Sequence, residues 1–326
     1  MSERNVATAV ACSNIALIKY WGKSARGQNL TAVPSLSMTL SALRTTTRVS
    51  FEPNLEVDRV QIGAERVSGR PYERVVRLLD EVRALAKTSL RAEVASNNDF
   101  PTASGLASSA SGFAALALAA QAALGLGLDS PAVSRLARRA SASAARSLYP
   151  GFVELLAEAE AASPVAPSDF LDVEMVIAAT TLGPKSTAST DGMLHTQATS
   201  PYYAAWVESA PALFARGKQA LLARDLEALG EAMEASTLAM HACMLAARPS
   251  LFYWQDATLR VMQRVRELRQ QGTRAFFTMD AGPHVKVLVP RAEVVGVRHA
   301  LSQVPGVERV LSSSAGVGAF LLEGAA

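Results

Sequence analysis

The sequence predicts an α+β fold, built as one large domain or two intimate ones, and three observations lead there. The chain has 326 residues, more than a single hydrophobic core usually spans. Short runs rich in Val, Ile and Thr recur between residues 5 and 179 and again after residue 273, interleaved with helical patterns. Apolar residues make up 49% of the chain and charged residues 19%, enough to fill a sizeable core beneath a polar surface.

The same composition narrows the function. A net charge of +3, without any Lys/Arg run or aromatic-basic interleaving, gives no support for a nucleic-acid partner but suits an anionic small substrate. Cys12 and Cys243 form neither a disulfide framework nor a metal spacing, which points to a reducing, cytoplasmic setting. The four histidines are too scattered to suggest a metal site. Residues 1–5 lack the form of a signal peptide. The apolar run 112–128 is Ala-rich and interrupted by Gln121 and glycines, so it reads as a buried helix and no membrane partner is expected.

Residues 5–12 read as a first strand, delivering Asn14, Lys19, Tyr20, Trp21, Gly22 and Lys23. Two lysines and two aromatics around a glycine are unusual for a surface turn, although singly they suit a core or a solvated face. Segments 33–40 and 45–51 are β-like by their Thr/Val content, and 57–62 is a third such run. A helix is predicted over 72–87, where Val75, Leu78, Leu79, Val82 and Leu85 share one face and Arg74, Arg77 and Arg83 would be solvated.

A strand at 91–95 and a polar turn at 96–99 precede the small-residue stretch Pro101–Gly112, and a strong helix former follows from Phe113. Strand, small-residue loop and helix N-terminus together favour an anion, through free backbone N–H groups and the helix dipole. The hydroxyls of Ser108 and Ser109 can reach phosphate or magnesium. The composition fits equally a turn that only caps the helix, and a Walker loop is excluded because no Gly-Lys-[Ser/Thr] follows.

Asp129-Ser130-Pro131 caps a second helix, expected over 132–145. Residues 155–162 look helical, 163–168 form a loop, and 173–179 is a strand; the halves divide just after it, into 1–182 and 183–326. Helices are expected at 200–222, 226–246 and 255–271, with His241 packed or hydrogen-bonded. Residues 273–288 read as strand, turn, strand, with Asp280 in a common turn-forming position. A helix near 291–303 and strands near 307–311 and 317–322 complete the count.

Five separated motifs carry a resemblance. Pro-x-x-x-Gly-Leu-Ala-Ser-Ser-Ala at 101–110 resembles the phosphate loop of the GHMP kinase superfamily. The string Asn14-Ile15-Ala16-Leu17-Ile18-Lys19-Tyr20-Trp21-Gly22-Lys23 is far more specific and resembles the N-terminal signature of its mevalonate diphosphate decarboxylase family. Residues 140–154, 185–193 and Asp280-Ala281-Gly282-Pro283 resemble further segments of that family, in the family order. The chain departs from the pattern at Val33-Pro34, at His284, and at Ala140, Ala142 and Pro150, three places where the family has glycine. If any of those three backbones needed positive φ, alanine would cost about 1 kcal/mol and proline could not comply.

The resemblance implies the GHMP two-domain fold, with an N-terminal half like domain 2 of ribosomal protein S5 and a ferredoxin-like α+β C-terminal half. It implies conversion of (R)-5-diphosphomevalonate and ATP to isopentenyl diphosphate, ADP, phosphate and CO2, with Mg2+ bridging the ATP phosphates. Asp280 would face the substrate 3-hydroxyl and Arg146 the carboxylate, with Ser143 and Asn14 as orienting partners. Tyr20, Trp21, Gly22, Lys23, Arg74, Ser141, Ser189 and Thr190 would complete the substrate contacts, chiefly to the diphosphate. Gly105, Leu106, Ala107, Ser108 and Ser109 would hold ATP, with Ser109 near Mg2+ and Lys19 either beside the nucleotide or nearer the reacting end. A cytoplasmic homodimer is expected from the family habit. The glycine replacements keep open a sibling acting on 5-phosphomevalonate or a 3-kinase that stops before decarboxylation; a non-catalytic metabolite-binding protein is the rival from another class.

Overall fold

The computed structural model describes residues 5–100, 108–180 and 187–322. Its elements run β1 (Val6–Ile18), β2 (Ser35–Glu52), β3 (Arg59–Ile62), β4 (Glu65–Arg66), α1 (Gly69–Ala86), β5 (Arg91–Asn98), α2 (Ser108–Ala123), α3 (Ser130–Ala140) and a 3-10 helix (Ala142–Leu148). There follow β6 (Phe152–Leu155), β7 (Ser163–Ala166), β8 (Val173–Ala179), α4 (Ser189–Thr199), α5 (Tyr203–Leu222), α6 (Leu226–Leu245) and α7 (Asp256–Gln270). The chain closes with β9 (Phe276–Met279), β10 (Val285–Pro290), a 3-10 turn (Arg291–Glu293), α8 (Val294–Ser302), β11 (Arg309–Ser314) and β12 (Phe320–Leu321).

Two sheets organise these elements. The first has the order β12-β1-β2-β5-β3-β4, with β6 and β7 continuing from the start of β2. Helices α1, α2 and α3 cover one face of it, packing Leu79, Ala114, Ala117 and Ala137 on Ala9, Ala11 and Val49. Alanines let α2 lie close to the sheet, which is why a run of nearly membrane-like length is a buried helix here. No described helix is long and apolar enough to cross a membrane. The second sheet is antiparallel, in the order β11-β8-β10-β9, and α7 and α8 pack Val261, Val265 and Leu301 against Val176, Val285 and Val287.

Both sheets feed one further core, where Ile15, Leu17 and Met38 meet Met175, Ile177, Leu288 and Phe214. Ser41 and Ser314 hydroxyls bond across the halves at 2.9 Å, beside the bridge between Leu40 and Ala315. Strand β8, which precedes residue 182, hydrogen-bonds within the second sheet.

Several sequence expectations change. Segments 33–40 and 45–51 are one continuous strand, β2, and the polar stretch 96–99 mostly belongs to β5, paired with Thr45–Thr47. Residues 155–162 are not a helix: Phe152–Leu155 pairs with β2 and with β7, and Glu158 turns at φ 56 with its N–H on Thr31 O at 3.0 Å. Strand pairing overrides the helical propensity of that Ala/Glu/Leu run, and the expected loop at 163–168 begins as β7. The helix of 132–145 stops at Ala140, because Ser141 is extended (φ −153, ψ 118) before the 3-10 helix begins. The helix expected at 200–222 is α5, preceded by a separate helix, α4; the strand expected near 307–311 falls later, at Arg309–Ser314, and the one near 317–322 shortens to Phe320–Leu321. Arg83 is not solvated: it is buried and forks onto both oxygens of Asp58 at 2.9 Å.

Candidate active site

The site begins with an irregularity in β1. Its register with β2 shifts by three residues between Cys12, opposite Arg44, and Asn14, opposite Thr39, and an odd shift exchanges the faces to which side chains point. Before the shift Ala9 and Ala11 face the helices α1–α3; after it Ile15 and Leu17 face the opposite core. Asn14 is thereby turned toward the helices, where its Nδ2 donates to Ser143 O at 2.9 Å and Ser147 Oγ at 2.7 Å.

The extended Ser141 then redirects the chain into a 3-10 helix, whose three residues per turn set Ser143 and Arg146 on one face. Arg146 is 2% exposed; its Nε donates to Asn14 Oδ1 at 3.2 Å and its Nη1 to Ser35 Oγ at 2.7 Å. The guanidinium stands 5.5 Å from the centre of the Tyr20 ring, and Ser141 and Ser143 hydroxyls lie 3.2 Å apart. Burial works against the Arg146 charge, which the nearby Tyr20 and Asp280 favour.

None of Ala140, Ala142 or Pro150 stands at positive φ, so the family glycines are not needed there for their conformational freedom. Gly151 is the demanding position. Its φ is +65, and a Cβ would come within 2.4 Å of Ala166 O.

These residues open onto a cavity of about 210 Å3 whose charged lining is Lys19, Lys23, Arg74 and Arg146 against Asp280. Asn14, Tyr20, Trp21, Ser109, Ser141, Ser143, Ser189 and Thr190 line it as well. Lys23 donates to Asn29 Oδ1, while Arg74 bonds Ala140 O at 2.8 Å and stacks 4.6 Å over Phe113. Burial, then repulsion from Arg74 and Arg138, pulls the Lys23 ammonium down to about 8. Ser189 and Thr190 belong to the first turn of α4. Trp21 packs against Gly192, and Gly22 (φ +109) passes so close to Tyr203 that a Cβ would overlap its hydroxyl.

Asp280 follows β9, whose last residue, Met279, is clamped by Thr237 of α6 through both its N–H and its C=O. Its Oδ1 accepts from Lys19 Nζ at 2.7 Å, and Lys286 Nζ stands 3.0 Å from Oδ2. That second approach is an ion contact without hydrogen-bond alignment, and Oδ2 has no aligned donor. Burial alone would raise the Asp280 carboxyl, but Lys19 and Lys286 outweigh it and hold the group far below the usual carboxylate range. Lys19 is drawn down to about 8 by burial, against the pull of Asp280. Lys19 thus stands beside Asp280, on the side of the cavity formed by β1 and β9. His241, buried against Trp254 at 5.3 Å, is pushed down to about 3 by burial and by Lys19.

Ser108 and Ser109 start α2, while Gly105, Leu106 and Ala107 lie outside the described residues. Ser109 lines both the cavity and an adjoining, mostly apolar slot of about 190 Å3 between Val60, Ile62, Val75, Val94 and Phe113. Among the described residues no group of three or more His, Cys, Asp and Glu could hold a metal, so phosphate oxygens and a hydroxyl such as Ser109 are the donors a hard cation would find.

Sequence reasoning missed Lys286, Ser35 and Asn29 as site residues. Ser35 opens an alternating Ser-Leu-Ser-Met run, and Lys286 is the one polar residue in the apolar run Val285–Pro290; a lone charge in a buried strand was the available signal.

Two family models match this chain. One is a diphosphomevalonate decarboxylase-like N-terminal domain over residues 11–166, and the other a mevalonate 5-diphosphate decarboxylase C-terminal domain over 175–315. A diphosphomevalonate decarboxylase of Candida albicans is 32% identical, with 96% of each chain covered. A phosphomevalonate decarboxylase of Haloferax volcanii is 32% identical, with 93% of each covered. The solved structure of MDDEF in complex with MVAPP, AMPPCP and magnesium superposes with a TM-score of 0.91 at 37% identity, covering 97% of this chain and 98% of that one.

Proposed function

Since the chain belongs to the diphosphomevalonate decarboxylase family, we infer that it converts (R)-5-diphosphomevalonate and ATP to isopentenyl diphosphate, ADP, phosphate and CO2. Its α+β architecture is the GHMP kinase fold, and the reaction uses ATP with Mg2+. The observation that carries the residue roles is the single cavity joining Asp280, Arg146, Lys23 and Ser109, with far more buried positive charge than negative. Such an excess is costly in the empty protein and is relieved by an anionic substrate.

The tertiary 3-hydroxyl of the substrate is a poor leaving group, so phosphorylation by ATP comes first. Phosphoryl transfer depends on positioning and charge neutralisation more than on covalent chemistry. Ser108 and Ser109, with residues 105–107, hold the ATP phosphates; the apolar slot beside Ser109 suits a purine base. Mg2+ bound there supplies charge neutralisation to the phosphates. Asp280 accepts from the 3-hydroxyl and orients it. Paired with Lys19 and Lys286, this carboxylate is a weak base, so it takes up the hydroxyl proton late, as the oxygen bonds to phosphorus.

Loss of the 3-phosphate builds positive charge at C3, and departure of CO2 quenches it as the double bond forms. Arg146, fixed by Asn14 and Ser35, keeps the carboxylate aligned for that step, and its planar fork does so better than an ammonium. Ser143 and Ser141 complete that wall. Lys23, Arg74, Tyr20, Ser189 and Thr190 anchor the remote diphosphate on the frame built by Trp21 and Gly22, and its binding energy supports the alignment. Domain limits of 1–182 and 183–326, a cytoplasmic setting, supported by two buried free thiols, and a homodimer complete the reading.

Purified protein couples ADP formation to CO2 release with 5-diphosphomevalonate, and Asp280→Asn loses both. ADP without CO2 would make it a 3-kinase only. The Haloferax relative makes 5-phosphomevalonate the control substrate, and faster turnover of the monophosphate would overturn the diphosphate assignment.

A further inference from the structure

Lys286 is the second residue of β10, a strand held between β8 and β9 in the middle of the second sheet. Its neighbours Val285 and Val287 pack into the core beneath α7 and α8, and strand alternation turns Lys286 to the other face. There the residue is 1% exposed, with its ammonium 3.0 Å from Asp280 Oδ2 and donating to His284 O at 3.4 Å. From β1, Lys19, 2% exposed, reaches Asp280 Oδ1 at 2.7 Å. Each oxygen of one carboxylate is therefore faced by its own buried lysine.

One lysine already balances the Asp280 charge, so a second costs desolvation without pairing off any further anion. An apolar residue of similar length would satisfy the packing of β10 at less expense. What the second lysine adds is a fixed carboxylate plane, since a single contact at Oδ1 leaves the group free to swing about χ2.

We propose that Lys286 is a positioning residue for the decarboxylase reaction: with Lys19 it forks the Asp280 carboxylate and fixes its plane toward the bound 3-hydroxyl. The inference rests on the role given above to Asp280. The charged and titratable groups facing this fork are Tyr20, just after β1, Arg146 from the 3-10 helix and His241 from α6, besides Asp280, Lys19 and Lys286 themselves. Repulsion between the two lysines contributes to the lowered Lys19 value, so removing Lys286 raises it.

Lys286→Met tests the proposal, with Asp280→Asn as the control. Expected for Lys286→Met is a loss of about tenfold or more in kcat with KM for both substrates nearly unchanged. At saturating substrate, where the bound diphosphate keeps Lys23 charged, the alkaline limb of kcat moves to higher pH. Lys286→Arg recovers kcat more fully than Lys286→Gln. A folded Lys286→Met with undiminished kcat overturns the proposal, and so does a fall in kcat with the limb unmoved, which marks a purely structural lysine. If Lys286→Met does not fold, Lys286→Gln is read by the same two measurements. Full activity in Asp280→Asn would instead overturn the role of Asp280 itself.

Discussion

Arg146 Nε donates to Asn14 Oδ1 across 3.2 Å, tying the 3-10 helix to the first strand over 132 positions of sequence. The same asparagine holds Ser143 O and Ser147 Oγ, so one buried amide sets the height and the tilt of the guanidinium. Three of its hydrogen-bonding positions are spent on one turn of chain, which makes Asn14 an orienting group first.

Asn14→Ala is expected to leave the fold intact but lower kcat by about 10- to 100-fold, with a smaller change in KM, because alignment of the substrate carboxylate is lost. The unpaired partners lower stability by about 1–3 kcal/mol. Steady-state kinetics together with urea unfolding check both numbers. An unchanged kcat in a destabilised variant would separate Asn14 from the chemistry.

Arg146→Lys keeps the charge but cannot reach Asn14 and Ser35 together while presenting a planar face to a carboxylate. We expect ADP and CO2 production to fall together by about 100-fold or more, whereas Ser35→Ala, which removes one of the two holders, falls by about tenfold. Parallel assays of ADP and CO2 decide, and a Lys variant at near full activity would contradict the assignment.

The alkaline side of the activity profile follows from two lysines. Burial lowers both Lys19 and Lys23 to about 8, so each loses its proton well before an exposed lysine does. A cation required for activity is present below its pKa and lost above it, so kcat/KM for the diphosphate substrate declines as pH rises through about 8. In Lys23→Met the remaining activity declines less steeply over the same range. A profile flat to pH 10 or so, near the ordinary lysine value, would contradict the electrostatic reading.

The glycine positions offer a fourth test. Gly151→Ala places a methyl into Ala166 O on a backbone at φ +65, and is expected to cost about 2–4 kcal/mol in unfolding free energy. Ala140→Gly, Ala142→Gly and Pro150→Gly, which restore the family residues, are expected to change kcat by less than about twofold. Ala140→Gly costs about 0.5–1 kcal/mol because it sits at the end of a helix. Equilibrium unfolding of the four variants checks the contrast, and a strong gain in activity from any restored glycine would refute it.

Asp280, Arg146, Tyr20, Lys23 and the serines at 141, 143 and 189 were legible as short strings, because each string keeps its residues close together along the chain, and all of them line one cavity. The β-bulge before Asn14, the extended Ser141 and the strand pairing of residues 152–155 were not. Each is decided by which segment lies alongside, and local propensity at 132–145 and 155–162 favours a helix. Arg83 shows the same limit: on its own helix it reads as one of three solvated arginines, and only Asp58, 25 positions earlier, makes it a buried partner.

By itself, the sequence determined the α+β class, the order of the motifs and the reaction they resemble, since those depend on residue identity along the chain. Tertiary structure alone decided that Lys19 turns to Asp280, that Lys286 joins it there, and that Arg146 is hung from Asn14 and Ser35. The physical reason is range: a charge or an amide is priced by its burial and its partners, and these arrive from strands and helices more than a hundred residues apart.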